Sequence, residues 1–320
     1  MLPFVILCTK HPELYMLHIF YLCRMSYFPF TYDEPLFRPP SEAYSLIFQV
    51  TIGCSWNKCA FCEMYSTKKF RARAEQDVFG EIDSLSEYAG DIKKVFLGDG
   101  NAFVLSHERL NRIMDKLNSV FPKLNRVSAY ASSRDILAKT DHELKSLADK
   151  GLKFLYVGVE SGDDELLTAI NKGETYNSTV EALQKARRAG MKLSVMILNG
   201  LGGKHYSQQH AINSAKLINE VQPEFLSTLV LSYPHGEKHF TDKFNGKFEP
   251  LDTFGLIAEM GLFIGNLELE NTVFRSDHAS NYLILKGNLN RDKQKLIQQI
   301  NQVLNDPKNA KLRPEWMRGL

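Results

Sequence analysis

The chain lacks the features that mark several classes of protein. Its 320 residues contain only five cysteines, too few for a secreted scaffold built on disulfides. It has 39 lysines and arginines against 37 aspartates and glutamates, and the formal net charge of +2 predicts neither nucleic-acid binding nor an acidic disordered chain. Hydrophobic residues make up 44% and charged residues 24%, as in a globular protein with one large domain or a domain with an appendage.

The first 24 residues match no common targeting segment. They are rich in apolar residues, but the polar segment 10–13 interrupts them, so no apolar run approaches the ~20 residues of a membrane span. A basic start and a small-residue cleavage site, both typical of signal peptides, are missing. We interpret residues 1–24 as a non-native or unstructured leader, with Met25 as the true start and residues 25–44 as an approach segment. We expect no membrane association.

Strand-like and helix-like segments alternate from residue 45 onward. Six short apolar runs predict strands over residues 46–52, 94–97, 126–131, 154–159, 193–198 and 225–231. Helical spacing predicts helices over residues 74–88, 107–121, 141–150, 178–189 and 208–221. This alternation predicts an α/β fold in which helices cover both faces of a parallel sheet. Right-handed crossovers allow either a doubly wound sheet or a barrel-like sheet, and the strand count does not choose between them.

The pattern changes after Tyr233. Residues 234–250 are polar and predict a long loop, while residues 254–264 predict a helix and residues 272–275 a strand. An amphipathic helix is predicted over residues 291–304. We therefore expect a core at residues 45–235 and a C-terminal extension at residues 236–320 that covers it.

Three cysteines, Cys54, Cys59 and Cys62, form a C-x4-C-x2-C motif directly after the first predicted strand. Such clustering indicates metal binding in a reducing compartment, so we expect a cytoplasmic protein. Three thiolates on a four-iron cluster leave one iron open, as a catalytic cluster requires. A structural zinc site needs a fourth Cys or His, and no His lies between Gly53 and Leu105. A distant His completing a zinc site, in a non-catalytic scaffold or sensor, is the alternative.

Polar and glycine residues follow four of the predicted strands. In barrel-type sheets the reacting groups lie at the carboxyl ends of the strands, so these residues are candidates for the site. They are Gly98, Asp99 and Gly100; Ser132 and Arg134; Glu160 and Ser161; and Asn199 and Gly200. The more ordinary interpretations are an Asp-Gly turn at Asp99 and a helix start at Ser133. A carboxylate placed directly after a buried strand, as at Glu160, requires a partner.

The cysteine segment resembles the radical S-adenosylmethionine (SAM) superfamily, whose usual motif is C-x3-C-x-Φ-C with an aromatic residue at Φ. Phe61 is at the Φ position, and the first gap is one residue longer here. The string GCSWNKCAFCEMYSTKKFR is similar to uncharacterised radical SAM proteins with the same spacing. The string GVESG…NKG resembles the fourth strand of members related to oxygen-independent coproporphyrinogen oxidases and tRNA-modifying enzymes. The resemblance covers about residues 45–235.

The resemblance implies a partial (β/α)6 TIM-like barrel with a small C-terminal α/β appendage. It implies an enzyme whose three cysteines hold a [4Fe–4S] cluster that reductively cleaves SAM to a 5′-deoxyadenosyl radical, which abstracts hydrogen from a substrate. A flavodoxin- or ferredoxin-type electron donor and a small-molecule substrate are the implied partners, and we expect no nucleic acid. An activity like that of coproporphyrinogen oxidase or of the tRNA-modifying members is the alternative within the class.

The resemblance also assigns roles to the residues at the strand ends. The turn at Asp99 would hold the SAM amino group, and Ser132 and Arg134 would bind its carboxylate. Glu160 and Ser161 would meet SAM, and the backbone of Asn199 and Gly200 would lie near the adenine. Phe61 would contact the cofactors.

Two further segments have competing interpretations. In the tail, His278 could transfer a proton to or from the substrate, or belong to an ordinary polar turn. The basic residues of segment 68–73 are interpreted as a solvated helix face, with attraction of an anionic substrate as the alternative.

Overall fold

A computed structural model of the protein describes residues 29–319, so the predicted leader and Met25 lie outside the described residues. One eight-stranded sheet dominates it, in the order β1-β4-β5-β6-β7-β8-β9-β10. Its strands are β1 Leu46–Gln49, β4 Lys94–Gly98, β5 Arg126–Tyr130, β6 Leu152–Glu160, β7 Lys192–Asn199, β8 Phe225–Val230, β9 Val273–Ser276 and β10 Leu285–Asn288. Two short strands, β2 Thr51–Ile52 and β3 Arg71–Ala72, form a separate antiparallel pair.

Helices connect most of the neighbouring strands of the sheet. They are α1 Glu75–Ser84, α2 His107–Val120, α3 Ser133–Leu137, α4 Asp141–Asp149, α5 Asp164–Ala169, α6 Tyr176–Arg188, α7 Gly203–Val221, α8 Glu237–Lys243, α9 Thr253–Gly265 and α10 Leu289–Asn305. In the eight-stranded sheet, the pairings from β1 through β4 to β9 are parallel, and β10 is antiparallel to β9. The predicted α/β fold is confirmed. Within residues 29–319 the first and last strands do not pair, so the barrel is partial.

The core follows from the apolar runs of the strands and one face of each long helix. Helix α2 shows the pattern: Leu110, Ile113, Met114 and Leu117 are fully buried at helical spacing, and the Ser106 hydroxyl caps the helix. Burying a side chain of this size stabilises the fold by about 1.5–3 kcal/mol relative to leaving it exposed. The strands are therefore held in register by a continuous apolar layer.

Three predictions from the sequence differ from the structure. The run 46–52 divides into β1 and β2, because the chain leaves the main sheet after Gln49 and pairs with β3 instead. The loop predicted over residues 234–250 contains helix α8, since Phe240 and Phe244 are buried in an apolar cluster with Leu198 and Leu231. The short helix α5 was not predicted, and α3 was given only as the alternative interpretation of Ser133, because side-chain caps rather than apolar spacing define both helices.

The C-terminal segments extend the same sheet and core. Strand β9 pairs with β8, and β10 pairs with β9. Ile257 and Phe263 of α9 and Ile300 of α10 are buried in the same apolar cluster as the central strands. In the described part of the chain, no helix is both long and apolar enough to cross a membrane.

Candidate functional site

The three cysteines lie together on the loop between β2 and β3, at the carboxyl end of the sheet. None forms a disulfide, and each side chain is partly exposed. Cys54 and Cys62 are close enough for each to influence the pKa of Cys59, as are Glu160 and Lys172. The structure therefore brings the predicted cysteine set to the end of β6, where Glu160 is located.

The local environment holds two of these thiols in the protonated form. Burial raises the pKa of Cys59 to about 12, and the positive charge of Lys172 opposes that rise. Burial also raises the pKa of Cys62 to about 11, against a hydrogen bond from the Met64 backbone. A thiol binds metal as its thiolate, so loading a cation here releases protons.

Hydrogen bonds from several elements fix the cysteine loop. The Gly53 N–H donates to Asp99 Oδ2 (3.1 Å), and the Ser55 N–H donates to Asn101 Oδ1 (2.9 Å). The indole N–H of Trp56 donates to the carbonyl of Asn171 (2.9 Å), between α5 and α6. The loop is thus attached to the end of β4 and to the connection between α5 and α6, and these contacts fix the backbone that carries the cysteines.

Gly100 is needed because the cysteine loop passes directly over it. A Cβ added at this position would lie 2.8 Å from the Gly53 carbonyl oxygen and 2.9 Å from the Cα of Cys54. Real Cβ atoms do not approach backbone this closely, so any side chain at this position would push Cys54 away. The predicted site residue Gly100 therefore positions the first cysteine.

Asp99 is fully buried at the end of β4. Its Oδ2 accepts from Lys68 Nζ at 2.9 Å, and the buried Tyr65 hydroxyl lies beside the same carboxylate. Lys68 also contacts Asp33. The interpretation of segment 68–73 as a solvated helix face is therefore wrong: Lys68 is buried, and residues 71 and 72 form β3. The buried carboxylate supplies the partner that a buried lysine requires.

Glu160 is the second buried acid. It ends β6 at a bulge with a φ of 68°, unusual for a residue other than glycine. Its Oε1 lies 3.7 Å from Lys172 Nζ, and its Oε2 has no partner. Burial raises the pKa of Glu160, and Lys172 opposes that rise. A Cβ at Gly158 would overlap Oε1 of this carboxylate. The glycine therefore leaves the space that the Glu160 side chain occupies.

Ser132 and Arg134 meet the cysteine loop through the start of α3. Ser132 is the N-cap of that helix and accepts from the Asp135 N–H, so the helix begins at Ser133, as the alternative interpretation of this segment had it. The Arg134 guanidinium stacks over the Trp56 ring at 4.1 Å and donates to the Gly173 carbonyl at 2.9 Å. These contacts hold Arg134 at the edge of the cysteine loop.

Ser161 and Gly200 are joined by a buried polar network. The Ser161 hydroxyl lies 2.8 Å from His210 Nδ1, and His210 Nε2 lies 3.9 Å from Glu259 Oε1. The same Glu259 oxygen accepts from the Gly200 N–H at 2.6 Å. The neighbouring Asn199 amide donates to a backbone carbonyl of α9. Helices α7 and α9 thereby set the positions of the ends of β6 and β7.

Two other predicted site residues, Phe61 and His278, have fewer contacts to describe. Phe61 packs on the apolar cluster that contains Phe240 of α8. The His278 Nδ1 lies 2.9 Å from the Ser280 hydroxyl and accepts from the Ser280 N–H in the β9–β10 connection. Burial and the nearby Arg313 lower the pKa of His278. His278 is not among the residues that line the two cavities near the ends of β7 and β8.

Three residues of the site were not predicted from the sequence. Lys172 is buried beside Glu160 and the thiols, Lys68 pairs with Asp99, and Asn101 donates to Ser55 and Asp135. For Lys172, a signal was present in the NKG string that follows α5. Lys68 looked like part of a basic surface segment, so its burial had no local signal.

The three thiols are not prearranged around a single metal ion. Four sulfurs around one zinc lie about 3.8 Å apart, given Zn–S bonds of about 2.3 Å. Within residues 29–319, the three cysteine sulfurs do not form a set in which all ligand atoms lie within 4.8 Å of one another. The donors, three thiols on one loop with the buried carboxylates of Asp99 and Glu160 nearby, fit a larger group with an open coordination site.

The sequence of the chain is similar to those of several known proteins. The chain is 27% identical over 164 residues to the heme chaperone HemW of Bacillus subtilis, covering 51% of this chain and 42% of that protein. It is 27% identical over 200 residues to the tRNA-2-methylthio-N(6)-dimethylallyladenosine synthase of Chloroherpeton thalassium, covering 60% and 43%. The chain thus spans about two fifths of the length of these relatives.

Structural comparison supports the fold. Coproporphyrinogen III oxidase (HemN) of Escherichia coli superposes with a TM-score of 0.52 at 18% identity, covering 69% of this chain and 52% of that one. The model of the radical SAM superfamily matches residues 48–218, more than half of the 320. The chain therefore belongs to the radical SAM superfamily, whose members are enzymes that use a [4Fe–4S] cluster and S-adenosylmethionine, as the cysteine motif predicts.

Proposed function

We propose that Cys54, Cys59 and Cys62 hold the [4Fe–4S] cluster and that SAM binds beside them at the ends of β4 to β7. The main support is the position of the three thiols next to the buried pair of Glu160 and Lys172. When bound, the cluster supplies an electron that cleaves SAM and yields a radical able to abstract hydrogen. The chain's own residues bind and orient the two cofactors and exclude water.

The two buried acids provide the recognition of a cation. Glu160 Oε2 is a buried oxygen without a donor, and a buried acceptor left unpaired costs about 1–3 kcal/mol. The Asp99 carboxylate is also buried, with the Tyr65 hydroxyl beside it. The ammonium group of SAM offers N–H donors that would satisfy one or both carboxylates. Lys68 and Lys172 each hold one oxygen of these carboxylates, which keeps the acceptors aimed in fixed directions.

We propose that the other strand ends hold the remaining parts of SAM. Arg134 uses one guanidinium nitrogen for the Gly173 carbonyl and keeps further N–H groups for a carboxylate. Ser132 and Ser161 supply hydroxyl oxygens near the same edge. The backbone at Asn199 and Gly200, held by α9, offers a surface for the adenine ring.

We propose a small-molecule substrate, an electron donor of the flavodoxin or ferredoxin type and a cytoplasmic location. The core at residues 45–235 would hold the cofactors, and the extension at residues 236–320 would cover the substrate. His278 stays a candidate for proton transfer at that cover. Two relatives are named as a heme chaperone and as a tRNA-2-methylthio-N(6)-dimethylallyladenosine synthase.

Cluster loading of the full chain tests this proposal. We expect anaerobic reconstitution with iron and sulfide to give about four irons per chain, the composition of a [4Fe–4S] cluster. SAM should then change the electron paramagnetic resonance spectrum of the reduced protein. Single Cys→Ala variants at 54, 59 and 62 should lose the cluster, whereas Cys23→Ala should keep it. Zinc in place of iron, or a spectrum that SAM leaves unchanged, would contradict the proposal.

A further inference from the structure

A cavity of about 360 Å³ opens at the carboxyl ends of β7 and β8. Its wall includes Gly200 after β7 and Leu231 and Tyr233 after β8, and the tail contributes Tyr282 and Arg318. This volume is typical of a small-molecule pocket. The cavity is thus formed jointly by the strand ends and by the C-terminal segment.

The remaining wall combines apolar side chains with the polar Ser232, and polar atoms supply the larger share of the exposed cavity surface. Val230, Pro250, Leu251 and Leu256 join Leu231 there, and Tyr233 and Tyr282 add aromatic rings. These apolar and aromatic side chains can contact the hydrocarbon or aromatic body of a ligand, because burying it removes apolar area from water. The charged groups of the wall, Arg318 and Glu315, therefore determine the polar end of the ligand.

Arg318 is fixed in place at this cavity. Its Nε donates to the Ser280 carbonyl at 2.9 Å, its guanidinium stacks over the Tyr282 ring at 3.9 Å, and its side chain is only 13% exposed. The carboxylate that pairs with it, Glu315, is 74% exposed and lies three residues earlier in the chain. Because Glu315 is largely exposed, an incoming carboxylate can compete with it for Arg318. Glu315 also accepts from the Tyr282 hydroxyl at 2.8 Å, so the ligand would replace both of these contacts.

We propose that this cavity is the substrate site and that it takes a small organic carboxylate with an apolar body, bound through Arg318. The planar guanidinium matches a carboxylate with two parallel hydrogen bonds, which an amide of the same shape cannot accept. The assignment as substrate rests on the proposed function, while the binding itself does not.

Ligand-observed NMR on the reconstituted full chain tests the site. The probes are phenylacetate and hexanoate, each paired with its neutral amide. We expect both acids to bind at least tenfold more tightly than their amides. Arg318→Gln should remove this preference. Arg313→Gln is the matched control, since Arg313 donates to the carbonyls of His278 and Asn281 in the same segment but does not line the cavity.

Four outcomes would overturn the proposal. They are no binding of either acid, equal binding of acid and amide, a preference that survives Arg318→Gln, and a preference that both arginine variants lose. The same measurement is repeated with saturating SAM, and we expect the acids to bind alongside it. Competition between the acids and SAM would show that the cavity belongs to the SAM site and would also overturn the assignment. Because SAM cleavage is measured separately, failure of this site and failure of the proposed function give different results.

Discussion

At the scale of single residues, two buried acids that each pair with a lysine stand out at the site. Asp99 follows β4 and Glu160 ends β6, the two strands on either side of β5, and each contacts its lysine through one carboxylate oxygen. A buried ion pair is weak support for stability, because its desolvation cost offsets much of the attraction. Retaining two such pairs beside the cysteines is better explained by cofactor binding than by folding.

Replacing Glu160 separates a role in cofactor binding from a role in folding stability. Glu160→Gln leaves Lys172 buried without its carboxylate, and we expect a loss of about 3 kcal/mol in the free energy of unfolding. Adding Lys172→Met should restore most of that stability. Production of 5′-deoxyadenosine should stay at least tenfold below wild type in both variants, while the exposed Glu165→Gln control should match wild type. Full activity in the double variant would show that the pair is only structural.

Lys139 predicts a pH dependence of stability. Burial lowers its pKa from 10.5 to about 8, and its Nζ donates to the Phe103 carbonyl at 2.7 Å. Between pH 8 and 10.5 the unfolded chain binds this proton and the folded chain does not, so the contribution of Lys139 to stability rises with pH there. Below that window both states are protonated, and the cost of burying the charge is fully present.

Comparison with Lys139→Met measures this effect. From pH 7.5 to 10, the free energy of unfolding of wild type should increase relative to the variant by up to about 3 kcal/mol, the equivalent of a shift of this size. Chemical denaturation at each pH gives both values. The exposed Lys153→Met variant is the control and should keep a constant difference from wild type. A constant difference for Lys139→Met would mean that its amine is not destabilised by burial.

At the scale of elements, the cysteine loop depends on the turn after β4. The expected effect of Gly100→Ala is displacement of Cys54, because the added methyl would overlap the loop backbone. We predict native circular dichroism with less than half of the wild-type iron. Gly80→Ala, in open space on α1, is the control and should keep the cluster and gain up to about 1 kcal/mol. Normal iron loading in Gly100→Ala would show that the loop can move freely.

The individual strands and helices show how much of the fold could be predicted from the sequence. Strands β4 to β8 were predicted to within two residues at each end, because continuous apolar runs mark buried parallel strands. Helix α8 was missed, because its stability comes from tertiary burial of Phe240 and Phe244 and its own polar residues hide that pattern. The pairing of Lys68 with Asp99 joins residues 31 apart in sequence, so no local pattern could reveal it.

At the scale of the whole molecule, the C-terminal segments complete the core. Phe274 of β9 and Ile264 of α9 are fully buried in the cluster that contains the strands of the predicted core. We therefore expect a chain that ends at residue 235 to expose this surface and fail to fold, and the full chain to unfold in one transition. Thermal denaturation followed by circular dichroism checks both. A cooperative transition in the shortened chain would establish the extension as a separate unit.

Cleavage of SAM by the full chain is the most direct test of the central claim. The protein is reconstituted anaerobically with iron and sulfide, reduced with dithionite, given SAM, and assayed for 5′-deoxyadenosine by mass spectrometry. We predict product from wild type and from Cys23→Ala, and none from Cys59→Ala. A fully loaded [4Fe–4S] cluster that leaves SAM intact would contradict the claim and favour a non-catalytic iron–sulfur protein.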